Sequence, residues 1–207
     1  MADNYLERKM EEHRNGGSAY RPVRKVSVAG NRPGVWQLPF AERRVLVTGS
    51  GAEIDRMIVE QLRCTGCKVA FMGGDKAEST ELARRVGAQW HPVEYGDGEA
   101  LLRSVAIICR AWGDIDAVVS TIGTVPEAVL SGWLKHRAEK PYPNPFGGRI
   151  VMTEPMEMLL PHSIMDSLKQ FGITATTVAG DTVNDTTVAA MMAINYNIKV
   201  VSDPCGQ

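Results

Sequence analysis

The sequence predicts an α/β domain built on a doubly wound parallel sheet of about seven strands, preceded by an N-terminal helical arm. Three observations carry that expectation. From Arg44 onward the hydrophobic period switches repeatedly between strand and helix spacing. The strand segments are too apolar to leave one face in water, which suits parallel strands covered by helices on both sides. Glycines such as Gly66 and Gly87 fall where the helical patterns stop. Right-handed crossovers between parallel strands then give the double winding.

Taken in order, residues 45–47 (Val-Leu-Val) read as a short buried strand that enters the turn Thr48-Gly49-Ser50-Gly51. A helix follows, with Ile54, Met57, Ile58 and Leu62 at helical spacing and Gly66 as its stop. Residues 68–72 form the second strand, and residues 77–86 a helix closed by Gly87. Residues 89–93 are the third strand, residues 99–112 a helix, and residues 115–120 the fourth strand. A proline-rich stretch with Pro126, Pro141, Pro143 and Pro145 precedes the fifth strand at residues 149–152. A helix ending near Gln170 leads to the sixth strand, residues 173–178. The last helix, residues 186–195, leads to a short seventh strand at residues 198–201.

Residues 1–40 stand apart from the domain at 41–207. Residues 4–14 suit a short helix with a narrow apolar stripe of Tyr5, Leu6 and Met10, ended by Gly16 and Gly17. Pro22, Pro33, Gly34 and Pro39 then favour extended or irregular chain. So little apolar surface makes the helix marginal alone. It either packs on its own domain or on a second subunit, giving a homo-oligomer, or stays a partly disordered tail.

The net charge of -1 provides no field to draw in nucleic acid or an anionic membrane. No apolar run approaches the roughly 20 residues of a membrane span. The charged residues 1–14 lack the apolar core of a secretory signal. Four cysteines do not suggest a disulfide framework, so a cytoplasmic location is expected.

Four segments resemble the short-chain dehydrogenase/reductase family. Val45-Leu46-Val47-Thr48-Gly49 is similar to the first strand and the opening of the family's T-G-x-x-x-G-x-G loop. Val93-Glu94-Tyr95-Gly96-Asp97 resembles the end of its third strand. Residues 114–123, ending Ser120-Thr121-Ile122-Gly123, resemble its fourth strand and N-N-A-G turn. Gly147-Gly148-Arg149-Ile150-Val151 and Phe171-Gly172-Ile173-Thr174 are similar to the starts of its fifth and sixth strands. The resemblance implies a Rossmann-like fold, an oxidoreductase function and NAD or NADP as cofactor. It places that cofactor against Gly49, Ser50, Gly51, Ile54, Glu94, Tyr95, Ser120, Thr121 and Gly123.

The match breaks where chemistry is concentrated. Glycines in such a loop allow a tight turn, close approach of pyrophosphate and close helix–strand packing. Gly49 is kept, but Glu53 and Asp55 occupy the next two glycine positions, and Gly51 does not restore the spacing. Two carboxylates in a helix's first turn stabilise that helix by about 0.3–1 kcal/mol each. They also repel a bound pyrophosphate. Gly73-Gly74 stand where the family reads the ribose, with Asp75 and Lys76 just beyond.

The family's catalytic Tyr and Lys lie four residues apart on one helix. Between Arg149 and Gly172 there is no tyrosine, and Lys169 has Met165 four residues before it. Thr153-Glu154-Pro155 replaces the serine region. Residues 154–172 and 124–146 are too short for the family's full active-site segments, the second normally holding a long helix that bears a catalytic Asn. No catalytic residue of the family type is therefore assigned. In the family those segments also build the dimer interface, so an oligomer here is expected to use another surface.

Other signals are weaker. Cys64-Thr65-Gly66-Cys67 has redox or zinc spacing, but it ends a helix and lacks a second cysteine pair, so no metal site is assigned. Asp181, Asn184 and Asp185, with Glu154 and His162, could line a rebuilt site at the carboxyl edge of the sheet. Alternatively Asn184 or Asp185 caps the final helix. The expected function is thus a dehydrogenase-like protein, nominally an oxidoreductase but without the family's reductase activity. The alternative is a non-enzymatic scaffold or oligomerisation module on the same fold.

Overall fold

The computed structural model describes residues 42–140, 147–153 and 162–195. The expected arm at residues 1–40, the prolines at 141–145 and the expected seventh strand at residues 198–201 lie outside these. The described strands are β1 (Arg44–Thr48), β2 (Lys68–Met72), β3 (Gln89–His91), β4 (Ala117–Ser120), β5 (Gly148–Met152) and β6 (Ile173–Thr177). The helices are α1 (Glu53–Cys64), α2 (Lys76–Val86), α3 (Gly98–Trp112), α4 (Glu127–Ala138), α5 (His162–Gln170) and α6 (Val183–Asn195).

The six strands form one sheet in the order β3-β2-β1-β4-β5-β6, and every pairing is parallel. The order reverses between β1 and β4, so the loops after these strands part to opposite sides of a crevice at the carboxyl edge. Register aligns Thr48 with Met72 on one side and with Ser120 on the other.

Alternation along the strands divides the core in two. Leu46, Met72, Val118 and Ile150 face α3, α4 and α5, packing with Val105, Ile108, Leu130 and Trp133. Val45, Val47, Phe71 and Val119 face α1, α2 and α6, packing with Ile58, Leu62, Leu82 and Ile194. This is the doubly wound sheet that the periodicity predicts.

Local chemistry sets the boundaries. Asp75 caps α2 by accepting from the N–H groups of Ala77 and Glu78 at 2.8 and 3.2 Å, and Gly87 ends it at φ 70. Asp97 caps α3 through Ala100 N–H at 2.9 Å. β3 stops at His91 because Pro92 offers no N–H to continue a ladder.

Two expectations are corrected. The proline-rich stretch contains the twelve-residue helix α4, which begins after Pro126 and inserts the fully buried Trp133 between sheet and α3. The prolines at 141–145 fall beyond its end at Ala138. Helix α6 starts at Val183, not near Thr186, because neither Asn184 nor Asp185 is its cap. Thr182 is: its Oγ accepts from Asp185 N–H at 3.1 Å, while its hydroxyl donates to the Asp185 carboxylate at 2.8 Å.

Candidate functional site

The loop from Thr48 to Ala52 carries the chain from β1 into α1 at the crevice. Gly51 has φ 90, a conformation that favours glycine, and it turns the chain so that successive N–H groups point inward. Such a concavity, at the positive end of a helix, suits an anion.

An anion already lies there, and it belongs to the protein. Asp55, in the first turn of α1, is 5% exposed. Its Oδ2 accepts from Gly51 N–H at 2.7 Å and from Ala52 N–H at 2.9 Å. Its Oδ1 accepts a short hydrogen bond from the hydroxyl of Thr121, just past β4. Thr121 also donates its backbone N–H to the Thr48 carbonyl at 3.0 Å. The carboxylate lies so close under Gly49 that a Cβ there would coincide with it. Sequence spacing places Glu53 and Asp55 together; the structure separates them, leaving Glu53 exposed and Asp55 buried.

The neighbouring loop closes the same ground from outside. A Cβ on Gly51 would stand 2.9 Å from Gly74 Cα, and one on Gly74 would stand 3.1 Å from Gly51 Cα. The turns after β1 and β2 therefore touch backbone to backbone. Gly73 is held by two aromatic residues. Trp90 donates its indole N–H to the Gly73 carbonyl at 3.0 Å, and the Tyr95 oxygen lies 2.7 Å from where a Gly73 Cβ would be.

Tyr95 spans the loops. Its hydroxyl lies 2.9 Å from the Gly49 carbonyl and 2.8 Å from that of Met72, so its single proton is shared between two acceptors. Burial pushes the phenol pKa well above its usual range, and the Asp55 charge adds to the shift. Beside these loops, a cleft with about 350 Å³ of open space runs between α1 and α2, walled by Val59, Phe71 and Leu82. Arg56 and Glu78 form an exposed pair at its rim, 3.2 Å apart.

The residues placed against a cofactor by the sequence divide accordingly. Gly49, Gly51, Tyr95 and Thr121 converge on the loop and are hydrogen-bonded to one another or to Asp55. Ser50 is exposed beside them. Ile54 packs into the α1 side of the core. Glu94 is exposed in a turn closed by its own carbonyl and Asp97 N–H at 2.9 Å. Ser120 is fully buried and donates to the Thr124 carbonyl at 2.7 Å, within a turn that contains Gly123 at φ 79. Trp90 carries no sequence signal of its own, and for Gly74 the sequence indicates only a place at the end of β2, not its contact with Gly51. Their role depends on loops brought together from separate βα units.

Of the other candidates, Lys169 is 75% exposed on α5 and pairs with Asp166 on the same helix. Thr153 is buried after β5, its N–H donating to the Ser120 carbonyl at 3.0 Å. Cys64 is exposed while Cys67 is buried, with its thiol pKa pushed up to about 11 by burial. Among the described residues no group of three His, Cys, Asp or Glu could hold a metal. Glu154 lies outside the described residues, Asp181 is exposed, and Asp185 serves the start of α6. No helix among them is long and apolar enough to cross a membrane.

No protein-family model matches the chain. Over 85 residues it is 35% identical to the human L-xylulose reductase, a match that covers 41% of this chain and 33% of that enzyme. The match thus spans about a third of the length of this relative. Solved structures share the fold. A short-chain type dehydrogenase/reductase from Mycobacterium ulcerans superposes with a TM-score of 0.53 at 15% identity, over 68% of this chain and 67% of that one. A metagenomic short-chain oxidoreductase in complex with NADP gives 0.52 at 16% identity, over 76% and 93%. An enoyl-(acyl-carrier-protein) reductase from Anaplasma phagocytophilum in complex with NAD gives 0.52 at 14%, over 70% and 73%. Over the matched stretch the chain is thus similar in sequence to one short-chain reductase, and its fold is that of the short-chain dehydrogenase/reductase structures.

Proposed function

We propose that this chain is a family member that keeps the oxidoreductase scaffold without the family's carbonyl-reducing chemistry. The observation that carries the reading is Tyr95, the only tyrosine among the described residues. The resemblance implies a tyrosine acid/base whose pKa a neighbouring lysine lowers. Tyr95 is shifted the other way, its proton held between two backbone carbonyls. The lysine on the helix after β5, Lys169, points to solvent and pairs with Asp166. Neither group can pass a proton to a substrate in the crevice.

The neighbours solved with NAD and NADP make a dinucleotide the ligand to test. The loop as it stands does not fit a pyrophosphate, because the N–H groups of Gly51 and Ala52 are taken by Asp55. A thermal-shift titration with NAD, NADH, NADP and NADPH, joined to a NADPH-oxidation assay on small carbonyl substrates, tests the reading. Turnover by the wild-type chain overturns it. Absence of turnover, with melting shifts far below the roughly 2.7 kcal/mol expected of a ligand at 100 times its Kd, supports it.

A further inference from the structure

We infer that Asp55 is a built-in counter-anion, an autoinhibitory contact that occupies the phosphate-binding position of the β1–α1 loop and excludes phosphate-bearing ligands until it is removed. The inference deepens the proposed function by naming what closes the loop, and it rests on the same fold assignment but not on the absence of a catalytic Tyr and Lys.

Two features support it. The first is the identity of the donors. A buried carboxylate needs hydrogen bonds to compensate for lost water. Asp55 finds its donors in two successive backbone N–H groups and one hydroxyl, all neutral. These are the groups with which a loop at a helix N-terminus binds phosphate. Asp55 therefore matches a bound phosphate oxygen in charge and in partners. Being tethered, it competes at an effective concentration of millimolar or more. An incoming phosphate has either to displace it or to lie against it, and like charges repel strongly at that range.

The second feature is the direct backbone contact of Gly51 with Gly74. With the carboxylate drawing Gly51 inward and Tyr95 bonding the carbonyls of Gly49 and Met72, the two glycine turns rest on each other. The closure is thus built from both sides of β1. Glu53, in the same first turn, plays no part, since its side chain is exposed.

The test titrates ADP and inorganic pyrophosphate, separately, into the full chain and into its Asp55→Gly and Glu53→Gly variants at low ionic strength. Wild type should give no saturable heat at millimolar ligand. Asp55→Gly should bind ADP at least tenfold more tightly, with pyrophosphate competing, and Glu53→Gly should gain clearly less. A folded Asp55→Gly variant as inert as wild type overturns the inference. So does an equal gain from Glu53→Gly, which would make general charge rather than occupation the cause. If Asp55→Gly does not fold, amide resonances of wild-type Gly51 and Ala52 decide the matter. They should be protected from exchange and unmoved by 10 mM pyrophosphate (about 10 mM, the millimolar regime of the tethered competitor); movement on titration overturns the inference. Binding without turnover in wild type would sink this inference alone, whereas reductase turnover would sink the proposed function.

Discussion

The two edges of the sheet both bury carboxylates, and they treat them differently. At the amino edge, Asp116 meets the Arg44 guanidinium at 2.6 Å, and Asp114 meets that of Arg137 at 3.2 Å. Arg137 also lies over the Trp133 ring, 4.6 Å from its centre, and donates to the carbonyls of Ile115 and Gly147 at 2.9 and 2.6 Å. Each of these two carboxylates has an opposite charge, and the groups tie β1, β4 and α4 together. At the carboxyl edge, Asp55 has neutral donors, and no cation pairs with it among the described residues. A carboxylate matched to an arginine is a fastening. A carboxylate matched to a nest of N–H groups occupies an anion site.

The largest effect should come from breaking the fastening. Arg137→Ala leaves Asp114 buried without its cation and removes the cover over Trp133, which should cost about 3–5 kcal/mol of stability in a denaturant titration. A loss under about 1 kcal/mol would show the amino edge to be no more than a surface ion pair.

At the other edge, Asp55→Gly removes three hydrogen bonds to a charged acceptor and places glycine in a helix. The gain of a freed loop is local, so the cost should be about 2 kcal/mol, clearly less than that of Arg137→Ala. Asp55→Asn keeps an acceptor for the loop while losing the charge, and should fall between wild type and glycine in the same titration.

Tyr95→Phe keeps the ring and removes the bridging proton, so about 1 kcal/mol should be lost, with no change at the amino edge. Amide exchange at Gly49 and Gly73, faster in the variant, would localise the effect.

The smallest effect at neutral pH concerns the thiols. Burial pushes Cys67 up to about 11 and Cys109 up to about 12. A thiol whose folded pKa lies above its unfolded value stabilises the fold fully below the unfolded value. That contribution is lost as the pH rises toward the folded one. Stability should therefore be insensitive to these groups near neutrality and decline above about pH 9. Iodoacetamide at pH 8 should label exposed Cys64 and spare Cys67 and Cys109, read by peptide mass spectrometry. Labelling of Cys67 in the native state would contradict its burial.

Much of the fold was legible because hydrophobic period and glycine position are local properties. Val45-Leu46-Val47 is apolar on both faces, so it had to be covered on both, and the parallel sheet follows. Helix α4 was hidden by a composition rich in proline, although those at 141–145 lie past its end and Pro126 merely precedes its start. The cap of α6 is not fixed by local sequence, because Thr182, Asn184 and Asp185 are all good capping residues and only the actual hydrogen bonds choose among them.

The loop between β1 and α1 shows most clearly where local information stops. Its sequence alone determined that two of the expected glycines had become carboxylates, and that Gly49 and Gly51 still permitted a tight turn. It could not determine which carboxylate turns inward, since residues 53 and 55 are both in the first turn of one helix. Tertiary structure decided that. Thr121, sixty-six positions away, arrives from β4 to donate to Asp55, and Gly74 arrives from β2 to seal the outside. Glu53 has solvent instead. The physical reason is that burying a charge is tolerated only where donors converge on it, and convergence belongs to strands brought side by side rather than to residues side by side in sequence.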